Sequence, residues 1–526
     1  MSHIDNDNDV AKLSEMNAGD LLHYDYRPAQ GSSSTSTHTK VSDTFRVVQW
    51  NIERGMRLDA IIADLKALNA DFIALQELDI NCRRSNYVNI PKELSRALQA
   101  ELYFVCEFEE LDSPCRSAQN AVGPQSQPSQ DSAAGAGQKA HTGRHFHGNA
   151  ILSRRATLRE ATSIPHTTTL HWDEEGLEFN EPRRGYRSAL RVRVDAAERT
   201  SPQMPPLYIY CCHFEVFCGA LTRVRQLADC MADMQRILRL SSVLSNANAR
   251  QPAFLVAGDL NTMAHGIVRF SRRYANDRLR LLSVGETEAC WLQRKVLSRN
   301  MQSFERGCCP FSYRYPAYLA SRMHQLLFNN KWVWRYVYGF SDAELERMSN
   351  VKLCLYDIAD KAKSITLDSR DYNGFVRGKF DWLLLSNLKP QPFRTQRGGA
   401  QPVDLAALEK CGSISSTSYA AKYLHSIQDG GQDDEARAAA IRPDEASYKY
   451  VPEDGYLLFN ENYTASDHRG LVMTVSQNSG QPKEVYPEYG APYTTCRAAL
   501  GFFLLTRAIP VAAVAFVVYN RLRVAS

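Results

Sequence analysis

One stretch constrains the fold of this chain more than any other: Ala253-Phe254-Leu255-Val256-Ala257-Gly258-Asp259-Leu260-Asn261. A short apolar run that stops abruptly in Gly, Asp and Asn reads as a buried strand, with Gly258 marking where the chain leaves the sheet. In an extended segment Asp259 and Asn261 share a side. A carboxylate and a carboxamide at the mouth of a sheet suit work on a phosphate. One can orient or deprotonate a water while the other holds an oxygen. The alternative is a polar turn capping a core strand, and the rest of the chain decides between the two.

The same pattern recurs. Phe45 to Ile52 is a β-type run with Asn51 at its end, and Arg57 to Asn69 spaces Leu58, Ile61, Ile62, Leu65 and Leu68 for one helical face. Ala70 to Glu77 is a second strand that stops in a carboxylate. Two strands joined by a helix, each delivering an oxygen donor at its C-terminal end, predict a parallel pair with a right-handed crossover. Lys92 to Ala100 reads as a helix; Tyr103 to Phe108, Gly148 to Arg154 and Ser188 to Val194 read as strands. Leu207 to Cys212 is a strand followed by His213, and Gly219 to Leu240 is helical. Lys379 to Ser386 is a strand with Asp381 near its start, and Asp467-His468 precedes the last strand, Gly470 to Val475. Core packing wants none of Asn51, Glu77, His213, Asp259, Asn261, Asp381, Asp467 or His468. One such residue beside an apolar strand is noise, but fold alone does not explain a series.

Between these elements the composition shifts. Residues 1–43, with the run Ser32 to Thr37, read as a disordered tail, and 113–142 as a disordered insertion. Segments 266–378 and 391–460 read as further insertions, the second with a helix near 435–441. The net charge of +4 over 526 residues is too small to imply a nucleic-acid partner by itself. Thirteen cysteines show no zinc spacing, and no apolar stretch near Met1 resembles a signal peptide, so free thiols in a reducing compartment are expected.

Taken in order, Trp50-Asn51-Ile52, Gln76-Glu77, Gly148 to Arg154, the strand-terminal His213, Gly258-Asp259-Leu260-Asn261, Phe380-Asp381-Trp382 and Ser466-Asp467-His468 resemble the endonuclease/exonuclease/phosphatase superfamily. Its members include deoxyribonuclease I, abasic-site endonucleases, neutral sphingomyelinases, inositol polyphosphate 5-phosphatases and deadenylases. The runs Gln49 to Gly55 and Glu215 to Gly219 look most like uncharacterised plant and protist members. The resemblance covers about residues 44–476 and implies an α/β fold, a four-layer α-β-β-α sandwich of two mixed sheets with outer helices. It implies Glu77 as a Mg²⁺ ligand with Asn51 beside it and Asp467 as a further candidate, Mn²⁺ being able to substitute. It casts Asp259 as the residue that orients or deprotonates water, and Asn261 as a contact to the scissile phosphate. His213 and His468 would bind phosphoryl oxygens, with Asp381 paired to His468. The sum is in-line hydrolysis of a phosphoester with the metal as Lewis acid and template.

Plainer readings stand beside these. Asn51 and Asn149 fit turn positions at strand ends, Asn149 the better of the two. Asp381 fits a buried pair with an Arg, and His265 the first turn of a helix. Arg83, Arg84, Arg183 and Arg184 fit either an anion-binding rim or a solvated face.

Ala498 to Tyr519 is apolar over about a bilayer's thickness, interrupted by Arg507 and Pro510. An Arg at mid-helix costs about 2.5–3.5 kcal/mol on insertion scales, and an amphipathic or core-docked helix is the alternative. The linker 477–497 offers nothing to pack on, so a transmembrane helix over 498–520 is expected, with a cytosolic catalytic domain tail-anchored to an internal membrane. A site held at a membrane meets lipid at high effective concentration, which favours a phospholipid or sphingolipid headgroup as substrate. DNA or RNA is the alternative, weighed against by the absence of a basic stripe. A non-catalytic binding module would be expected to lose Glu77, Asp259 or His468 first. No protein partner follows from the sequence.

Overall fold

The structure is a computed structural model that describes residues 11–28, 42–111, 143–195, 204–244, 251–262, 376–391, 403–414 and 456–477, with short pieces between 288 and 368 and at 512 and 516. In chain order its strands are β1 (Leu21–Asp25), β2 (Thr44–Arg54), β3 (Phe72–Ile80), β4 (Glu101–Glu110), β5 (Phe146–Ser153), β6 (Leu158–Pro165), β7 (Arg183–Gly185) and β8 (Ser188–Val194). They continue as β9 (Leu207–His213), β10 (Ala253–Asp259), β11 (Leu367–Asp368), β12 (Arg377–Gly378), β13 (Asp381–Ser386), β14 (Lys389–Gln391), β15 (Tyr456–Phe459) and β16 (Gly470–Ser476). One large sheet runs β1-β4-β5-β3-β2-β16-β14, with β7 added at β4 and β15 at β16; the second runs β13-β10-β9-β8-β6, and β11 and β12 pair as a separate two-stranded ribbon. Both mix parallel and antiparallel pairs: β2 lies parallel to β3 and β10 parallel to β9.

Alternation along the strands explains why the two sheets stack. In β9, Leu207, Ile209 and Cys211 turn toward the first sheet, while Tyr208, Tyr210 and Cys212 turn away. Leu255 and Ala257 of β10 and Leu383 and Leu385 of β13 face inward in the same way, with Phe254, Val256, Trp382 and Leu384 outward. The outward row needs a cover. Helix Ala220–Leu244 provides it with Val224, Leu227, Met231 and Met234. On the far side of the first sheet, helices Leu58–Leu68 and Ile90–Leu98 bury Ile61, Leu65, Leu68, Leu94 and Leu98. Each fully buried side chain of this kind stabilises by about 1.5–3 kcal/mol. The result is an α/β sandwich of four layers, helix–sheet–sheet–helix.

Several expectations need correction. Leu21–Asp25, inside the tail expected to be disordered, pairs antiparallel with β4, because Leu22 and Tyr24 alternate into the core while the residues between them stay outside. Residues 403–414, inside an expected insertion, carry helix Leu405–Lys410, whose flank buries Leu408 and Ile414 against the first helix. Strands β6 and β7 lie in sequence that gave no strand expectation; β6 is half-exposed and polar along most of its length. Gly258 stays within β10, registered between Cys212 and Trp382. A side chain there would stand 2.2 Å from the Cys212 carbonyl oxygen, so close packing requires the glycine rather than a departure from the sheet. Seven described cysteines are free, six of them buried. No described helix is long and apolar enough to cross a membrane. The expected span 498–520 lies outside the described residues apart from Ala512 and Phe516, as do residues 113–142, the helix at 435–441 and His265.

Candidate active site

The inward rows of the second sheet run out of apolar residues together. His213, Asp259 and Asp381 are register partners across β9, β10 and β13, so strand pairing alone lines up an imidazole and two carboxylates at one end of the sandwich. Opposite them the first sheet presents Asn51 and Glu77. Asn51 Nδ2 donates to Glu77 Oε1 and to Asp259 Oδ2, both at 3.1 Å, which ties the sheets together at the cleft.

Glu77 reaches the cleft by breaking alternation. Gln76 already points inward, its Oε1 accepting from Gln49 Nε2 at 2.7 Å. The pleat would turn Glu77 outward, but the register with both neighbouring strands slips here, and Glu77 adopts φ +57°. A bulge of this kind re-aims a side chain at the cost of about 1–3 kcal/mol of backbone strain. Burial raises the pKa of Glu77, yet Arg54, with Nε 3.8 Å from Oε2, and then His213 outweigh it, so the carboxyl is held well below its usual range. An ionised carboxylate beside a carboxamide is an all-oxygen donor set that fits a hard dication. Asn51 Oδ1 accepts from Glu53 N at 3.1 Å, so its amide must turn over to present oxygen to a metal. Asp467 lies exposed at the rim, one residue before His468, its Oδ1 accepting from Ser466 Oγ at 3.4 Å.

Asp259 is buried, with Oδ1 accepting from Asn261 N at 2.8 Å and Oδ2 from Asn51 Nδ2. Burial pushes its pKa up to about 7; the His468 charge opposes this and the Asp381 charge adds to it. Asn261 departs from the expected extended geometry. Its φ of +48° curls the chain back, so its backbone N–H caps Asp259 while Nδ2 donates to Phe214 O at 2.8 Å. Asn tolerates the left-handed region better than most residues, which accounts for its place there.

Asp381 Oδ2 lies 2.9 Å from His468 Nδ1, and Oδ1 accepts from Gln49 Nε2 at 2.9 Å. Asp381 therefore pairs with a histidine, and with no arginine among the described residues. Burial works against a charged His468, but Asp381 and then Asp467 overcome it and raise its pKa well above the ordinary value. His468 Nε2 faces Asp259 Oδ2 at 3.8 Å. His213 is treated oppositely: Arg187 Nη1 stands 2.9 Å from its Nδ1, and burial together with that guanidinium holds its pKa well below normal. Its Nε2 is 3.7 Å from Asp259 Oδ2 and 4.0 Å from Glu77 Oε1.

Six of the sequence-derived residues thus meet in one cleft: Asn51, Glu77, His213, Asp259, Asp381 and His468. Asn261 lies against its floor and Asp467 at its edge. Asn149 is not a strand-end turn; it is fully buried within β5, and neither amide atom has a hydrogen-bond partner among the described residues. The arginine rim is also corrected. The Arg84 side chain is buried against Asp79 and Glu110, Arg183 is buried against Glu181 and Glu110, and exposed Arg184 pairs with Glu109. Sequence reasoning missed Arg187, Glu107, Gln49, Ser466 and Thr366. Ser466 Oγ donates to Asn51 O at 2.7 Å, and Thr366 Oγ1 accepts from Asp381 N at 3.1 Å. The only signal for Gln49 was its place beside Trp50-Asn51. Glu107, His147 and His213 have metal-like spacing, as do Asp259, Asp381 and His468. Arg187 Nη1 stands 2.7 Å from Glu107 and 2.9 Å from His213, and a dication beside that guanidinium would be repelled.

Paired strand-end carboxylates, two histidines and an oxygen-rich corner between two stacked sheets define a phosphoesterase type of centre. The model of the Endonuclease/Exonuclease/phosphatase family matches residues 48–468, and the chain belongs to that family. Family members are hydrolytic phosphoesterases, acting on phosphoesters that include nucleic acids, and characteristically use divalent metals. Similar solved structures include an endonuclease/exonuclease/phosphatase from Beutenbergia cavernae, 14% identical over 84% of this chain and 73% of that one, with a TM-score of 0.35. The human Nocturnin catalytic domain is 13% identical over 84% and 97%, with a TM-score of 0.34. ANGEL2, described as a 2',3'-cyclic phosphatase, is 12% identical over 88% and 98%, also at 0.34. No curated protein matches the chain in sequence.

Proposed function

We propose that the protein is a Mg²⁺-dependent hydrolase of a phosphoester, acting by in-line attack of water at phosphorus. The observation that carries this reading is the row His213–Asp259–Asp381, set by strand register and facing Asn51, Glu77 and His468. A divalent cation held by Glu77, with Asn51 and Asp467 beside it, would supply Lewis acidity and a template, and the oxygen donors suit Mg²⁺ with Mn²⁺ as substitute.

The chain's own groups do the rest. Asp259 orients the water and accepts its proton; the hydrogen bond from Asn261 N holds its Oδ1. Asn261 Nδ2 spends one N–H on Phe214 O and has a second for a phosphoryl oxygen. The His468 imidazolium, backed by Asp381, balances charge that builds on the phosphoryl group. His213 contributes a further contact from the opposite flank.

For the substrate we favour a phospholipid or sphingolipid headgroup over a nucleic acid. Arg84, Arg183 and Arg184 are paired with carboxylates, and the net charge is only +4, whereas nucleic-acid affinity rests on phosphate neutralisation. The test is hydrolysis by the full chain with Mg²⁺ or a chelator, on sphingomyelin, phosphoinositides, single-stranded RNA, an abasic-site duplex and an aryl phosphodiester. Asp259→Asn should lose ~10³-fold or more in kcat with folding intact. Turnover that ignores chelation would sink the Mg²⁺ dependence, turnover that survives Asp259→Asn would sink that residue's role, and no turnover of any of these esters would sink the hydrolase reading. Turnover of nucleic acid alone would move the protein to the nucleases.

A further inference from the structure

We propose that Arg187 is a positioning residue that fixes His213 in the tautomer whose Nε2–H faces the cleft, making His213 a hydrogen-bond donor to a phosphoryl oxygen and barring it from acting as a base. The inference rests on the phosphoester-hydrolase reading for its functional half, and on geometry alone for its structural half.

A guanidinium carries five N–H donors, no acceptor, and does not lose its proton in proteins. At 2.9 Å from Arg187 Nη1, His213 Nδ1 must therefore supply a lone pair. A neutral imidazole with a bare Nδ1 carries its proton on Nε2, the nitrogen that looks toward Asp259 and Glu77. A ring with a proton on Nε2 donates there and cannot accept one.

Arg187 is itself held by a carboxylate and an aromatic ring. Glu107 Oε2 accepts from the same Nη1 at 2.7 Å, and Glu107 Oε1 accepts from Ser188 N at 3.2 Å. The guanidinium carbon lies 5.0 Å from the centre of the Phe108 ring. Glu107 and Phe108 sit where the β4 register with β5 slips, so a local bulge in the first sheet presents both to an arginine that precedes β8 in the second. The side chains are nearly sealed, at 4% and 0% exposure, so the guanidinium is packed against Nδ1 away from solvent. His213 is consequently oriented from behind by a cation anchored to the opposite sheet, while its Nε2 edge stays in the cleft.

The first measurement needs no mutation of the clamp. In full-length protein with ¹⁵N-labelled histidine, the His213 resonances, assigned by their loss in His213→Gln, should show a bare Nδ1 and a protonated Nε2. A protonated Nδ1 would overturn the proposal whether or not any substrate is turned over. The second is kinetic, on whichever phosphoester the protein hydrolyses. Arg187→Met should lower kcat by ~10- to 100-fold with KM little changed, and Arg187→Lys should recover part of the loss. In a His213→Ala background, Arg187→Met should cost less than about twofold more, because its effect runs through the histidine. Full additivity of the two losses would show that Arg187 merely supports the fold. If Arg187→Met fails to fold, the wild-type tautomer still decides.

Discussion

Two histidines flank the same cleft, and what stands behind each one differs. His468 has a carboxylate at Nδ1, 2.9 Å away, and is held charged; His213 has a guanidinium at Nδ1, also 2.9 Å away, and is held neutral. Both are buried, and both turn Nε2 toward Asp259 Oδ2 at nearly equal distances, 3.8 and 3.7 Å. Burial disfavours the charged form of each ring, so burial cannot separate them. The group behind the ring does. An active site can thus place a full positive charge on one flank and a neutral dipole on the other with the same residue type, at the same depth.

The sharpest way to break that contrast is to remove the charge behind His468. Asp381→Asn keeps the shape, and its side-chain oxygen can still accept from Gln49 Nε2. It no longer stabilises an imidazolium, leaving only Asp467 and Asp259 to do so, so the pKa of His468 should fall and kcat should drop by roughly 10³-fold, about 4 kcal/mol in barrier. Steady-state kinetics beside a melting curve checks this. A loss no larger than that of Arg187→Met would mean that the two supports do the same job and that the contrast has no catalytic meaning.

How much of this was legible beforehand follows from the physics of each residue. Asn51, Glu77, His213, Asp259 and Asp381 were visible because each interrupts or closes an apolar strand, and a sheet end is where such interruptions are tolerated. The layers followed from the alternation of Tyr208, Tyr210 and Cys212 against Leu207, Ile209 and Cys211. The supports were invisible for the opposite reason. Arg187 and Glu107 sit in β-type sequence as unremarkable charges, and only the pairing of β4 with its neighbours brings them together across 80 residues. Arg84 and Arg183 read as a surface rim because sequence carries no record of the carboxylates that bury them. Leu21–Asp25 was lost to averaging: five strand residues within a polar tail hardly alter its composition. The curl at Asn261 and the bulge at Glu77 escape periodicity altogether, since both are departures from it.

A smaller effect, away from the cleft, tests the same principle on a group whose neighbours are neutral. Asp64, buried on the first outer helix, accepts from Cys411 Sγ at 2.7 Å and Ser413 Oγ at 2.8 Å. Burial pushes its pKa up to about 6, and these two hydrogen bonds oppose the rise without cancelling it. The folded chain therefore holds a proton that the unfolded chain, near 3.8, has already released. Stability from this site is fully present below the unfolded value and is lost as pH rises through the folded one. Asp64→Asn is neutral at every pH and should remove that slope. Relative to wild type it should gain roughly 3 kcal/mol between about pH 4 and pH 7, as an order of magnitude. Denaturant unfolding of the two proteins at both pH values measures it. A difference that stays flat would mean that Asp64 is ionised in the fold despite having only a thiol and a hydroxyl for company. Neutral donors would then suffice to hold a buried charge, and the opposite states of His213 and His468 would need a cause other than Arg187 and Asp381.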